Sequence, residues 1–153
     1  MTIFPVLTDK KRYLPLLLLG DEQEDMIDRY LSRGTLYVLE QDGTPAAVCV
    51  VTDEGEGVLE IKNLAVAPAL QRQGYGRKMI EFLLRRYSGA YHTLQLGTGD
   101  SPLTVPFYRS CGFTPFRIVP DFFPQHYDHP IVEGGVTLRD MVYFRRCIPE
   151  QFS

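Results

Sequence analysis

Cysteine is scarce in this chain, and none of it follows a pairing pattern. Cys49, Cys111 and Cys147 are an odd set without CxxC spacing, which argues against both a disulfide framework and a zinc knuckle. A reducing cytoplasm is the expected setting. No long Lys/Arg block occurs and the formal net charge is -3, so nothing attracts nucleic acid or an anionic membrane in general. An acidic protein suits a cationic substrate better. The opening "MTIFPVLTDKKRYLPLLLLG" places its basic residues ahead of a very short Leu run broken by Pro15, and reads as neither a signal peptide nor a membrane span. Repeats, low-complexity tracts and flexible interdomain linkers are also lacking. With 153 residues, 44% of them hydrophobic, one domain over residues 1–153 with a substantial core is expected.

"IFPVL" predicts a short first strand, and "YLPLLLLG" one or two helical turns with Pro15 tolerated near the start. "DEQEDMIDRYLSRG" has acids in its first turn, Arg29 and Arg33 in its last and Gly34 as terminator, which predicts a helix. "TLYVLEQDGTPAAVCVV" sets two β-rich runs around Asp42-Gly43, a strong hairpin signal. A second turn, "DEGEG", leads into "VLEIKNLAV", so three consecutive antiparallel strands are expected. Met79, Ile80, Leu83, Leu84 and Tyr87 then fall on one helical face. "YHTLQLG" is a fifth strand, reached through that crossover helix and so parallel to the fourth. "SPLTVPFYRSCG" predicts a helix with Ser101 as N-cap and Pro102 at its first position. "FTPFRIV" and "GGVTLRDMVYFRRC" predict two closing antiparallel strands, separated by "PDFFPQHYDHPIVEGG", a segment too long and aromatic for a simple turn.

Between the fourth strand and its following helix lies "QRQGYGRK", Gln71 to Lys78. A strand that enters a tight glycine turn and leaves as a helix aims unpaired N–H groups at one point, with the positive end of the helix dipole behind them. Gly74 and Gly76 would let a diphosphate approach without Cβ obstruction. Neither well-known phosphate motif fits, because no Gly-Lys-Ser/Thr occurs and Met79 stands where the dinucleotide fingerprint requires its third glycine. From spacing alone, a structural turn and a phosphate cradle both remain open.

The longer run "NLAVAPALQRQGYGRKMIEFL" resembles the acyl-CoA-binding signature of the GNAT N-acetyltransferases, with Gln71, Gly74 and Gly76 on its Gln/Arg-x-x-Gly-x-Gly/Ala core. A strand ending in Val-x-Pro precedes this core, and "FYRSCGF" follows where the family has the helix after its fifth strand. The resemblance implies an α+β fold: a mixed, mostly antiparallel sheet of six to seven strands, about four flanking helices, and splayed central parallel strands 4 and 5. It implies acetyl-CoA as acyl donor. The backbone of Leu64, Ala65 and Val66 would pair with the pantetheine arm. Gln71 and the N–H groups of Arg72, Gln73, Gly74, Tyr75, Gly76, Arg77 and Lys78 would hold the pyrophosphate. Where many relatives carry an asparagine after the fifth strand, this sequence offers Asp100 and Ser101, and Ser101 is either a cofactor contact or only a helix cap.

For chemistry, the resemblance assigns Tyr108 as general acid for the departing thiolate, against a partly buried helix tyrosine as the plain alternative. Glu60, eleven residues before Gln71, matches a catalytic glutamate of some members. Strand alternation would put it on one face with Lys62 and Leu64, where a Glu–Lys surface pair is the rival reading. The oxyanion falls to a backbone N–H near Leu64. The expected reaction is direct transfer to a primary amine of a small molecule. A protein N-acetyltransferase and a non-catalytic acyl-CoA-binding or regulatory protein are the alternatives, and a homodimer is possible. Phe122, Phe123 and Tyr127 are expected to form an aromatic wall over the acceptor cleft or a subunit contact, with Asp121, Asp128 and Glu133 available to a cationic amine. His126, Asp128 and His129 lack a recognised ligand spacing, and no metal site is expected.

Overall fold

The computed structural model describes residues 1–151. In chain order its strands and α-helices are β1 (Thr2–Val6), α1 (Leu14–Gly20), α2 (Glu24–Ile27), β2 (Thr35–Gln41), β3 (Thr44–Gly55), β4 (Val58–Val66), α3 (Tyr75–Arg86) and β5 (Thr93–Gly99). There follow α4 (Val105–Ser110), β6 (Thr114–Val119), α5 (Phe122–His126), β7 (Val132–Glu133), β8 (Val136–Thr137) and β9 (Met141–Cys147). Asp42 and Gly43 take left-handed φ of 53° and 76°, the pair that a two-residue hairpin turn requires, and they join β2 to β3 as expected. One mixed sheet runs in the order β1-β2-β3-β4-β5-β9-β6, with β4 and β5 its parallel pair. The small hairpin β7–β8 stands apart from that sheet.

Each face of the sheet buries its own cluster. Leu17 and Ile27 from the α1/α2 side pack with Leu36, Val38, Val48 and Val50. On the other side Met79, Ile80, Leu83 and Leu84 of α3 pack with Leu39, Cys49, Leu94 and Phe144, which is the helical face expected from the sequence. A third cluster, Phe123, Ile131 and Leu138, anchors the aromatic segment. No helix among the described residues is long and apolar enough to cross a membrane.

Two expected helices are shorter than their sequence signals. After Gly20 only α2 has a regular ladder. Beyond it, bonds such as Arg29 N–H to Met26 O (3.2 Å) and Tyr30 N–H to Ile27 O (3.1 Å) carry the chain through turns to Gly34. Ser101 is not the N-cap of α4, a position that falls to Thr104. Pro106 explains the delay: in a helix begun at Pro102 it would owe an N–H to the ladder, whereas in the first turn of α4 it owes none. Ser101 instead accepts the Leu103 N–H on its hydroxyl at 3.0 Å.

The decisive irregularity lies in β4. Val50 pairs with Asn63 but Val51 pairs with Ile61, leaving Lys62 as the extra residue of a bulge. One extra residue flips every side chain beyond it to the other face. Asn63 and Ala65 therefore face the α1/α2 side, while Ile61 and Leu64 face α3. Glu60, opposite Thr52, does not share a face with Leu64, which corrects the alternation expected from the sequence.

Candidate active site

The β4–β5 pairing ends at Ile61 opposite Leu96, so the backbone of Leu64, Ala65 and Val66 has no strand partner on that side. A groove of about 640 Å³ follows this free edge to the N-terminus of α3. Its walls include Leu64, Ala65, Val66, Gln71, Arg72, Gly74, Tyr75, Gly76 and Arg77, faced by Thr104, Phe107 and Tyr108. Arg72 and Gly74 both take positive φ, 64° and 87°, curling the turn so that its amides converge. The first helical bond is Lys78 N–H to Gly74 O at 3.0 Å, so Tyr75, Gly76 and Arg77 precede the ladder with their N–H groups available. That bond removes the Lys78 amide from the expected set.

The side chains of this turn are occupied locally. Gln71 Nε2 donates to Val66 O at 3.2 Å and Gln73 Nε2 to Ala69 O at 3.5 Å. Arg77 Nη2 donates to Ser110 Oγ at 2.7 Å. The Lys78 ammonium sits 5.3 Å from the centre of the Tyr75 ring. A Cβ on Gly74 would meet nothing within 4 Å. Glycine is therefore required there by its φ and by approach from outside, not by packing. Gln73, Lys78 and Ser101 do not line the groove.

At its Tyr108 end the groove meets a smaller cavity of about 170 Å³, sited where β4 and β5 diverge. Lys62, Asn63 and Leu64 form one wall and Gly97, Thr98 and Gly99 the other, closed over by Asp21, Phe123, Tyr127 and Glu133. Gly97 and Gly99 admit Met141 and Leu138, whose side-chain atoms would lie 2.9 and 2.5 Å from any Cβ placed there. Tyr108 lines both spaces. Burial pushes its phenol pKa up, and the nearby Cys49, Cys111 and Glu133 add to the rise. It stays protonated through the neutral range, the form that can give up a proton.

Acidic groups dominate the rest of the cavity. Asp21 receives hydrogen bonds from Tyr127 Oη (2.6 Å) and Tyr30 Oη (3.0 Å), and Asn63 Nδ2 donates in turn to Tyr30 Oη at 3.1 Å. Burial still holds the Asp21 carboxyl above its ordinary range, although both tyrosine bonds pull it down. Glu133 is half-buried, and burial raises its carboxyl against the opposing hydrogen bond from Ser101. Its Oε2 is shielded from solvent and has no hydrogen-bond partner among the described residues. Asp21 carries no sequence signal of this place, because an acid after a terminating glycine reads as a helix-start charge. Only the long-range bond from Tyr127 reveals its place.

The remaining candidates lie elsewhere. Glu60 accepts a bond from Gln95 Nε2 at 2.6 Å and pairs with Lys62 Nζ at 2.5 Å. It lines an adjacent space of about 250 Å³ with Tyr30, Arg29 and Arg33 that does not include Tyr108. Asp121 pairs with Arg139 at 2.6 Å, and the exposed Asp128 with His129 at 2.6 Å; neither lines the cavity. Phe123 and Tyr127 do form an aromatic wall, whereas Phe122 stacks on His126 at 4.1 Å. No group of three His, Cys, Asp or Glu side chains among the described residues is placed to hold a metal ion.

Known proteins are similar to this chain in sequence and fold. The family model described as "Acetyltransferase (GNAT) domain" matches residues 32–115. The uncharacterised N-acetyltransferase YvbK of Bacillus subtilis (strain 168) is 38% identical over 130 residues, 83% of each chain. The structure of an IAA acetyltransferase from Bacillus cereus superposes with a TM-score of 0.89 at 34% identity, covering 95% of this chain and 98% of the other. A GNAT family acetyltransferase from Elizabethkingia anophelis, solved with acetyl-CoA bound, gives a TM-score of 0.88 at 32% identity, covering 94% and 95%.

Proposed function

The chain belongs to the GNAT acetyltransferase family, and from that premise we propose that it moves the acetyl group of acetyl-CoA directly onto a primary amine of a small molecule. The observation that carries this reading is the meeting of groove and cavity at Tyr108. Leu64, Ala65 and Val66 add the pantetheine arm as an extra strand. The amides of Tyr75, Gly76 and Arg77, with the helix dipole behind them, hold the pyrophosphate. These supports bring the thioester to the divergence of β4 and β5, where a backbone N–H near Leu64 stabilises the oxyanion. Tyr108 protonates the thiolate as the C–S bond breaks. The cavity is small, about 170 Å³, and Asp21 and Glu133 on its lining offer carboxylates to a cation, which favours a small amine over an extended peptide.

Release of CoA thiol over a panel of small amines, with calorimetric titration of acetyl-CoA in parallel, tests the proposal. Turnover of at least one small amine is expected. Tight acetyl-CoA binding with no amine turned over would make the chain a non-catalytic acyl-CoA binder, and turnover of peptide amines alone would replace the small-molecule reading.

A further inference from the structure

We propose that Glu133 is the base of this reaction: it receives the acceptor as an ammonium ion at the junction of groove and cavity and takes its proton. The inference rests on the amine reading above. Among the described residues Glu133 is the one carboxylate that lines both spaces, so it flanks the place where acceptor nitrogen and thioester carbon must meet. Tyr108, the proton donor on the leaving side, lines the same two spaces.

Competing acids are committed or misplaced. Asp21 already accepts two phenolic hydrogen bonds. Glu22 is exposed. Glu60 is tied to Lys62 and Gln95 in a space that excludes Tyr108. Glu133 keeps a shielded oxygen without a partner among the described residues, and leaving such an oxygen unpaired is costly unless a bound donor satisfies it. An ammonium group is the donor of matching charge.

The local fold holds this carboxylate in place. Gly134 and Gly135, at φ 56° and 79°, form the tight turn of the β7–β8 hairpin. A Cβ on Gly134 would come within 2.8 Å of Pro102 Cγ, so the hairpin seats directly on the turn that follows Ser101. The charged and titratable groups that line the two spaces with Glu133 are Asp21 and Glu22 after α1, Lys62 of β4, Tyr108 of α4 and Tyr127 after α5, with Arg72, Tyr75 and Arg77 along the groove. Burial and Glu22 raise the carboxyl, which moves its basicity toward neutrality, where a general base is most effective.

The protons balance. Glu133 carboxylate takes one proton from R–NH3+, and the neutral nitrogen lone pair forms the N–C bond at the thioester carbonyl. The adduct collapses with cleavage of C–S, and Tyr108 gives its proton to the thiolate. The second nitrogen proton restores the Tyr108 phenol through solvent, and Glu133 releases the first to solvent. The products are the amide, CoA thiol and one proton.

The test is the pH profile of kcat/KM for wild type, Glu133→Gln and Glu60→Gln with an amine the wild type uses. Glu133→Gln should lose about a hundredfold or more near neutral pH and shed the acidic limb of the profile, while that limb persists in Glu60→Gln. A limb that survives in Glu133→Gln and vanishes in Glu60→Gln overturns the inference and leaves the amine reading standing. Wild type that turns over no amine overturns both. Independently of any acceptor, the Glu133 side-chain carboxyl should titrate by carbon-detected NMR above the ordinary glutamate value, and titration at or below that value also overturns the inference.

Discussion

The groove assigned above to the donor and the cavity assigned to the acceptor share Tyr108 yet differ in how they are built. One wall of the groove is backbone from a single stretch of chain, a free strand edge over Leu64–Val66 and the amides ahead of α3, faced by Thr104, Phe107, Tyr108 and Glu133. The cavity is lined largely by side chains, from Asp21, Lys62, Thr98, Tyr108, Tyr127 and Glu133, brought together only by the closed fold. A backbone site recognises what every acyl-CoA shares, and tolerates side-chain change wherever φ and approach are kept. A side-chain site encodes which acceptor enters, and responds to single substitutions.

Breaking the groove should give the largest effect. Gly74→Trp forces a bulky residue to φ 87°, a strain of about 1–3 kcal/mol, and fills the approach to the amides. Acetyl-CoA affinity measured by calorimetry should fall about a hundredfold or more. An unchanged affinity would mean that the donor binds elsewhere. Next comes Tyr108→Phe, which keeps the buried ring and removes the proton. Turnover should fall by about a hundredfold with acetyl-CoA affinity nearly intact, so the substitution separates the cavity's chemistry from the groove's binding. Equal losses in both would show that the hydroxyl serves to hold the donor instead.

This contrast also explains what could be read from the chain alone. Asp42-Gly43, the apolar face of α3 and the glycines at 74 and 76 are local signals, and they located the hairpin, the crossover helix and the groove. The bulge at Lys62 left no such mark, because an extra residue in a strand has no composition of its own. It alone sends Glu60 to the far face. Asp21 and Glu133 are separated by most of the chain, so their shared cavity follows from tertiary closure and not from spacing. Ser101 carried a genuine capping signal that Pro106 displaced by three residues.

A moderate effect distinguishes Glu60 from the cavity acids. Its carboxylate is nearly buried between Gln95 and Lys62, so Glu60→Gln replaces a charge-assisted pair with a weaker amide contact. A stability loss of about 1–2 kcal/mol is expected from the denaturation midpoint. A variant as stable as wild type would show that the Lys62 pair contributes nothing to the fold and would reopen a catalytic role as the reason for its burial.

The smallest expected effect reverses that sign at Glu133. Its folded-state carboxyl is raised above the ordinary 4.5, chiefly by burial. The folded chain therefore binds this proton more tightly than the unfolded chain does. The stability gained from the neutral form is complete below pH 4.5 and is lost as pH rises through the raised folded-state value. Glutamine cannot ionise, so Glu133→Gln should grow more stable relative to wild type across that window, by less than about 1 kcal/mol after solvent screening. Thermal melts of both proteins from pH 4 to pH 8 read the difference directly. A variant that gains stability while losing turnover places Glu133 among groups kept for chemistry at the expense of the fold, the reverse of Glu60. A difference that does not change with pH would mean that the Glu133 carboxylate is as comfortable folded as unfolded, leaving no poised base at the cavity mouth.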